Sequence, residues 1–422
     1  MKRSIQVVLG ALLGLGAVSA TRIASAQPAA PEPPPAPAPW YRAIHFGAFA
    51  DGYAGLNYNF PKPQTGQNAF RAYDTTNGFA LSWIGLDASY DPAPVGGTLN
   101  LRLGPTAQAY AGDDANYDLQ YVKQAYASWK PFDALELDFG KFDTIYGAEV
   151  AESQNNMNYT RGVLYWLAQP LFHTGLRANI NVAPMLSFNV LAVNGWNDTV
   201  DNNTGKSYGL QAVLAPADNV GVSLGWIGGP EQNDAVSVHC PQDTQYDAAA
   251  HGCAPAANTP AASYTVDRGG ANHFKAWKHL LDLVATYDAT ENLSFVLNAD
   301  YGTEGVRTFD PTTQQTNIDR KRWYGAMLGA RYQLTPVWAV AGRGEYYKDP
   351  QGYTTGTNGI SLATGTLTIE AKPTDNLILR LENRGDFAFD AASGDAKVFP
   401  RKVRDFKKNQ FTTTLGVVVT TN

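Results

Sequence analysis

Residues 377–386 read L-I-L-R-L-E-N-R-G-D, and the alternation within them decides the fold. Leu377, Leu379 and Leu381 fall on one face of an extended chain, while Arg380, Glu382, Arg384 and Asp386 fall on the other. Four charges on one face are a poor core for a water-soluble sheet, because a buried charge must be paired or expelled. The same period of two recurs along the chain. Residues 98–109, T-L-N-L-R-L-G-P-T-A-Q-A, set Leu99, Leu101, Leu103, Ala107 and Ala109 against Thr98, Asn100, Arg102, Thr106 and Gln108. Residues 173–182 set Leu176, Ala178, Ile180 and Val182 against His173, Arg177, Asn179 and Asn181. Residues 293–301 set Leu293, Phe295, Leu297, Ala299 and Tyr301 against Ser294, Asn298 and Asp300.

Extending this reading gives sixteen expected strands, near 44–59, 77–90, 97–111, 118–130, 134–143, 173–182, 186–195, 206–215, 220–228, 275–287, 293–302, 322–334, 337–347, 361–371, 377–386 and 410–421. Two sites disturb the alternation. Phe79, Leu81 and Trp83 share one parity and Ile84 and Leu86 the other, and Pro105 falls where a ladder donor is needed. A bulge at either would restore the pattern. Connections after even strands are tight and carry turn residues (DPAPVG, KPFD, PADN, DATEN, KPTDN), whereas those after odd strands are almost all longer. A closed barrel inserted from one side of a membrane has this asymmetry, and a sandwich does not. Aromatics stand at both strand ends: Tyr90, Trp129, Tyr287, Tyr332 and Trp338 beside short turns, and Phe79, Trp196, Trp226, Tyr301, Trp323 and Tyr346 beside long loops.

Composition agrees. The 422 residues are 44% hydrophobic yet only 17% charged, against about 25% charged in a typical soluble domain. No apolar run after the N-terminus is long enough for a membrane helix. The N-terminus itself reads as an export signal over 1–26: Lys2 and Arg3, an apolar stretch from Ile5 to Val18, and Ala24-Ser25-Ala26 as a cleavage site. Residues 27–40 are a Pro-rich periplasmic lead-in, and 41–422 form a single barrel domain. The expected mature chain keeps 29 Lys and Arg against 38 Asp and Glu, a net charge near −9 that excludes nucleic acid as a partner.

The stretch from Phe139, F-G-K-F-D-T-I-Y-G-A-E, followed by N-Y-T-R-G-V-L-Y-W-L-A-Q-P-L-F-H-T-G, resembles the OmpL-like β-barrel porins of Gram-negative bacteria. A-V-N-G-W-N at 192–197, R-G-E-Y-Y-K-D at 343–349 and R-L-E-N-R-G-D at 380–386 resemble them too, so the likeness covers most of the mature chain. It implies an outer-membrane channel contacting lipid on one face and small hydrophilic solutes or ions on the other, and leaves room for a homotrimer. The chain departs from the usual aromatic C-terminal residue of such barrels, ending V-V-V-T-T-N.

The fold expected is therefore an all-β, transmembrane antiparallel barrel of sixteen strands, wide enough to hold water. The third long connection, 144–172, carries Glu149, Glu152 and Arg161 and is expected to fold into the lumen as the constriction, an external cap being the rival. Arg102, Arg177, Arg343, Glu345, Arg380, Glu382, Arg384 and Asp386 are expected to line the pore wall. Loop carboxylates facing wall arginines would set up a transverse field, and cross-strand neutralisation is the rival role. By parity nine acids (Asp51, Glu136, Asp138, Asp282, Asp300, Glu345, Glu370, Glu382, Asp386) face the lumen with five arginines, which predicts a weak cation preference.

Cys240 and Cys253, in the long connection 229–274, fit a disulfide in an exported protein. A zinc site with His239 and His251 is the weaker alternative. Asp198 and Asp201 miss the spacing of a calcium loop, and no cofactor or metal is expected. Nucleophile elbows, zinc-protease motifs and phosphate loops are absent from the sequence. A hydrolase at the barrel rim, or a secreted β-sandwich that binds a ligand, would be the other classes to consider.

Overall fold

The computed structural model describes residues 40–62, 68–247, 249, 252–267, 274–310, 315–402 and 405–421. The export signal and nearly all of the Pro-rich lead-in lie outside them, as does His251.

Sixteen strands form one closed barrel. They are β1 (Ile44–Asn57), β2 (Gly78–Tyr90), β3 (Val95–Leu103), β4 (Val122–Phe132), β5 (Leu135–Asp143), β6 (Phe172–Ala183), β7 (Leu186–Val193), β8 (Ser207–Ala217), β9 (Val220–Gly229), β10 (Lys278–Thr290), β11 (Leu293–Asp310), β12 (Gln315–Gln333), β13 (Trp338–Asp349), β14 (Ile360–Thr374), β15 (Leu377–Phe389) and β16 (Asn409–Thr420). Each pairs antiparallel with the next, and β1 closes on β16 with Phe49 opposite Thr420 and Asn57 opposite Thr412. Closure leaves no sheet edge with unpaired backbone groups.

The alternation has the expected consequence. On β15, Arg380, Glu382, Arg384 and Asp386 are buried, whereas Leu381 is 44% exposed on the outer surface. Leu81, Leu86, Leu99, Leu176, Leu210, Leu224, Leu297, Leu328, Leu367 and Leu415 also face outward. An apolar band of this extent would drive aggregation in water, and lipid removes that cost. Tyr90, Trp129, Tyr287, Tyr332 and Trp338 are exposed at the end with short turns, and Phe79, Tyr301 and Tyr346 at the other. Trp323 departs from this girdle. Its parity is that of buried Met327, so the indole lies inside, 1% exposed, and donates Nε1–H to the Ala168 carbonyl at 2.9 Å.

A register shift between Asp51 and Gly52 passes over Ser82, so Leu81 and Ile84 both face outward and Trp83 is fully buried. At Pro105 there is no bulge. The strand stops at Leu103 and a short helix, α1 (Pro105–Ala111), begins with proline in its first turn, where no backbone donor is required. Its alternating alanines suited either conformation. The connection expected over 303–321 is instead mostly strand: β11 and β12 have 18 and 19 residues, roughly 60 Å at strand rise, far beyond an apolar band of about 25 Å. This hairpin was illegible because charges occupy both of its faces beyond the membrane.

Candidate functional site

The connection between β5 and β6, residues 144–171, contains a short helix, α2 (Val163–Leu167). It is tied to strands all around the barrel, mostly through side chains on their buried face. Tyr146 OH donates to the Trp226 carbonyl on β9 at 2.9 Å, Gly147 N–H to Asp282 Oδ1 on β10 at 3.1 Å, and Ala148 N–H to Asn298 Oδ1 on β11 at 3.2 Å. Ser153 Oγ and Tyr159 OH donate to the two oxygens of Asp51 on β1, at 2.6 and 2.7 Å. Asn158 reaches Thr368 on β14 at 2.8 Å. Val163, Leu164 and Ala168 pack among Trp323, Met327, Tyr347, Ile360 and Leu362. Ala151, Tyr165 and Leu171 pack among Phe49, Tyr73, Trp83, Tyr110 and Phe172.

The three charged residues expected on this connection go to different walls. Glu149 accepts from Arg343 Nη1 at 2.5 Å and from Gly162 N–H at 2.7 Å. A Cβ at Gly162 would lie 2.0 Å from Glu345 Oε1, so any larger residue there would displace that carboxylate. Glu152 instead meets the opposite side: Arg102 Nη2 at 2.8 Å and Lys123 Nζ at 3.1 Å. Arg161 is buried, stacks over the Tyr73 ring at 4.8 Å and donates to the Tyr159 carbonyl at 2.7 Å. Burial pushes the Glu152 carboxyl up, but Lys123 and Arg102 more than reverse this and hold it at about 2. For Glu149, burial together with nearby Glu345 outweighs Arg343, and the carboxyl sits above its ordinary range.

The wall residues form a ladder on β13, β14 and β15. Arg343 Nε lies 3.2 Å from Glu345 Oε2, and Glu345 also accepts from Thr364 Oγ1 at 2.6 Å and from Leu164 N–H at 3.2 Å. Arg380 donates Nε–H to Glu370 at 2.8 Å, Nη1–H to the carbonyls of Ser153 (2.5 Å) and Asn158 (3.1 Å), and Nη2–H to that of Asn156 (2.8 Å). Glu382 accepts from Tyr159 N–H at 2.7 Å and from Thr160. Arg384 bonds Asp386 Oδ1 at 2.8 Å and the Arg161 carbonyl at 2.7 Å. Apart from these, Arg177 pairs with Asp138 at 2.9 Å on β5 and β6, and Arg102 bonds Asp87 at 2.6 Å. The arginines thus hold both their neighbours on the sheet and the backbone of residues 153–161.

Several partners escaped the sequence reading. Lys123 is buried where the β3 and β4 register slips at Asn100/Leu101. Lys141 follows Gly140, whose φ of +140° breaks the alternation, and it bonds Asp114 at 2.6 Å. Arg71, in the first long connection, bridges Asp74 at 2.6 Å and Asp386 at 2.7 Å. Parity carries no signal for a loop residue, nor for one beyond a bulge.

Cys240 and Cys253 are bonded, with Cα atoms 5.5 Å apart. They join two hairpins, 235–240 with 262–267 and 244–247 with 252–255, that stand outside the barrel sheet.

A family model described as "Putative beta-barrel porin-2, OmpL-like" matches residues 43–420. The chain belongs to this porin family. The porin is accordingly an outer-membrane protein of a Gram-negative bacterium. None of the curated proteins matches it. Among solved structures it is similar to outer-membrane expressed OmpT of Vibrio cholerae (TM-score 0.53, 11% identity, 90% of this chain and 97% of that one). It is similar to the outer-membrane channel DcaP of Acinetobacter baumannii (0.53, 10%, 89% and 96%). A third is an anion-selective porin from Comamonas acidovorans (0.52, 12%, 90% and 99%). At such identities the likeness is one of fold.

Proposed function

We propose that the porin is a passive channel for small hydrophilic solutes and ions, that residues 144–171 cross its lumen as the constriction, and that it weakly prefers cations. One observation carries the reading: the backbone of 153–161 is bonded by Arg343, Arg380, Glu382 and Arg384 from one side while Glu152 is bonded by Arg102 and Lys123 from the other. A segment held this way narrows a water-filled barrel without closing it by a hinge, so passage depends on solute size and on the charges left facing the gap. The family is one of porins, which favours a channel over a rim hydrolase.

The cation preference rests on which charges stay uncompensated. Arg102, Arg177, Arg343, Arg380 and Arg384 each engage a carboxylate. Glu136, half-buried on the inward face of β5, makes no described ion pair. A surplus of negative potential attracts cations, and it fades as salt shortens the screening length. Lipid on the outer face and association of three barrels belong to the same proposal; OmpT of Vibrio cholerae is known in a trimer form. Export by residues 1–26 and restraint of the long outer connection by the Cys240–Cys253 bond complete it. Reversal potentials of the detergent-purified protein in planar bilayers under a salt gradient test the preference. A cation preference that declines toward neutrality in molar salt is expected, and an anion preference would overturn it.

A further inference from the structure

The long hairpin of β11 and β12 carries the outward face of the barrel beyond its apolar band. On β12, Leu328 and Tyr324 face outward, whereas Met327 and Trp323, of the other parity, are buried. The same period of two puts Arg322 and Arg320 on the outward face, one and two steps beyond Tyr324, and both are exposed. At strand rise they are about 7 Å apart. In the ladder Tyr324 stands opposite Tyr301, Arg322 opposite Thr303 and Arg320 opposite Gly305. A Cβ at Gly305 would lie 1.9 Å from the Lys275 carbonyl oxygen, so the turn at 274–276 lies across the outer side of β11 at this level.

Neither guanidinium pairs with a carboxylate among the described residues. Arg320 donates to the carbonyls of Lys275 at 2.8 Å and Trp277 at 3.5 Å, which orient it without neutralising it. Arg322 donates only its backbone N–H, to Gln351 Oε1 at 3.1 Å, and its side chain has no described partner. The acids closest in the ladder turn the other way: Glu304 is buried and paired with Lys278 at 3.2 Å, and Asp319 has the parity opposite to the two arginines. Beside them, on the outward side of β9 and β10, is a group of rings. Trp226 and His279 stack at 6.1 Å, and Phe274, 64% exposed, lies 5.1 Å from Trp277 and 5.3 Å from His279.

We infer that Arg320 and Arg322, beside the rings of Trp226, Phe274, Trp277 and His279, form a site for the phosphate headgroup of an outer-leaflet glycolipid. Rings at this level suit the boundary where acyl chains give way to headgroups. Exposed guanidiniums without a carboxylate are complementary to phosphate, which their planar forks bind in a bidentate manner. The leucines below and the arginines above together match one amphiphile, apolar at its foot and anionic at its head. A soluble anion would satisfy only the arginines. The long connections stand at this end of the barrel, the end that faces outside in such proteins. The site rests on the reading that the outward leucine face meets lipid, and is independent of whether the barrel conducts.

The test uses the full chain in phosphatidylcholine nanodiscs, with EDTA present so that no divalent ion bridges phosphates. Diphosphoryl lipid A is titrated in, and retained lipid is counted by native mass spectrometry. An arginine near an anionic headgroup contributes roughly a fivefold gain in affinity, so Arg320→Gln with Arg322→Gln should weaken retention by on the order of thirtyfold. Replacing Arg401 and Lys402 by glutamine removes equal charge from the separate hairpin at 399–407 and should leave retention unchanged. Lipid A without its phosphates should bind the wild type no better than it binds the Arg320/Arg322 variant, and inorganic phosphate at the lipid's concentration should not displace lipid A. Equal retention by wild type and the Arg320/Arg322 variant, equal loss in the Arg401/Lys402 control, full binding of the dephosphorylated lipid or displacement by inorganic phosphate would each overturn the site while leaving the lipid-facing band intact. Failure of the wild-type chain to enter nanodiscs at all would overturn both.

Discussion

Replacing Arg380 by methionine keeps the length and bulk of the side chain and deletes its fork of donors. The carbonyls of Ser153, Asn156 and Asn158 lose their guanidinium partner, and Glu370 keeps Arg331 at 2.7 Å. A hydrogen bond exchanged for water is worth about 1 kcal/mol net, so three amount to roughly 3 kcal/mol, on the order of a hundredfold in the docking equilibrium of residues 153–158. Glu382 and Arg384 still hold Tyr159, Thr160 and Arg161, and Arg102 and Lys123 still hold Glu152, so the segment remains anchored at both ends and fluctuates between them. Single-channel recordings should show larger current noise and a raised mean conductance, with the barrel still heat-modifiable on gels. Arg380→Lys keeps the charge without the planar fork, and should share the noise while leaving ion preference closer to wild type. A folded Arg380→Met channel with wild-type conductance and noise would refute the reasoning that Arg380 anchors a constriction.

Other consequences lie outside the membrane band. Glu231, in the connection after β9, accepts from Ser207 Oγ at 2.6 Å and from Trp196 N–H at 2.8 Å. Burial, against the pull of Lys278, pushes its carboxyl up to about 7. A group raised on folding contributes stability that is complete below its ordinary value and is lost as pH rises through 7. Protection of the Trp196 amide from hydrogen exchange should therefore fall between pH 5 and 8, and Glu231→Gln should flatten that fall. Removing both Cys240 and Cys253 as serines should cost the outer hairpins about 3 kcal/mol on the loop-entropy model, seen as faster proteolysis within 235–267. The melting of the barrel should not change, since those hairpins lie outside its sheet.

How much of this was legible in the sequence follows from what period two can encode. Where the chain stays in one register, parity alone gave the right face: Arg380, Glu382, Arg384 and Asp386 on β15, Arg343 and Glu345 on β13, Arg177 on β6. At Trp83 the conflict of parity was itself the signal of the register shift between Asp51 and Gly52. Pro105 was a true interruption, but helix and bulge both satisfy a missing donor, and only tertiary packing of Ala107, Tyr110 and Ala111 selects the helix. Trp323 shows the limit of the aromatic signal, since a tryptophan at a strand end suits a lipid interface or an interior hydrogen bond equally well. That Glu149 and Glu152 bond to different walls was beyond reach, because a loop has no periodicity from which to aim a side chain. The same holds for Arg71 and its bridge to Asp386.

The claim on which the rest depends is that residues 144–171 narrow the channel. Excising residues 147–165 and joining the ends with a short glycine linker removes Glu149, Glu152, Arg161 and the first three residues of helix α2 while leaving all sixteen strands intact. Single-channel conductance of this variant in planar bilayers, beside the full chain at the same salt, measures the constriction directly. A clear rise in conductance is predicted; a folded barrel conducting no better than the full chain would contradict the account.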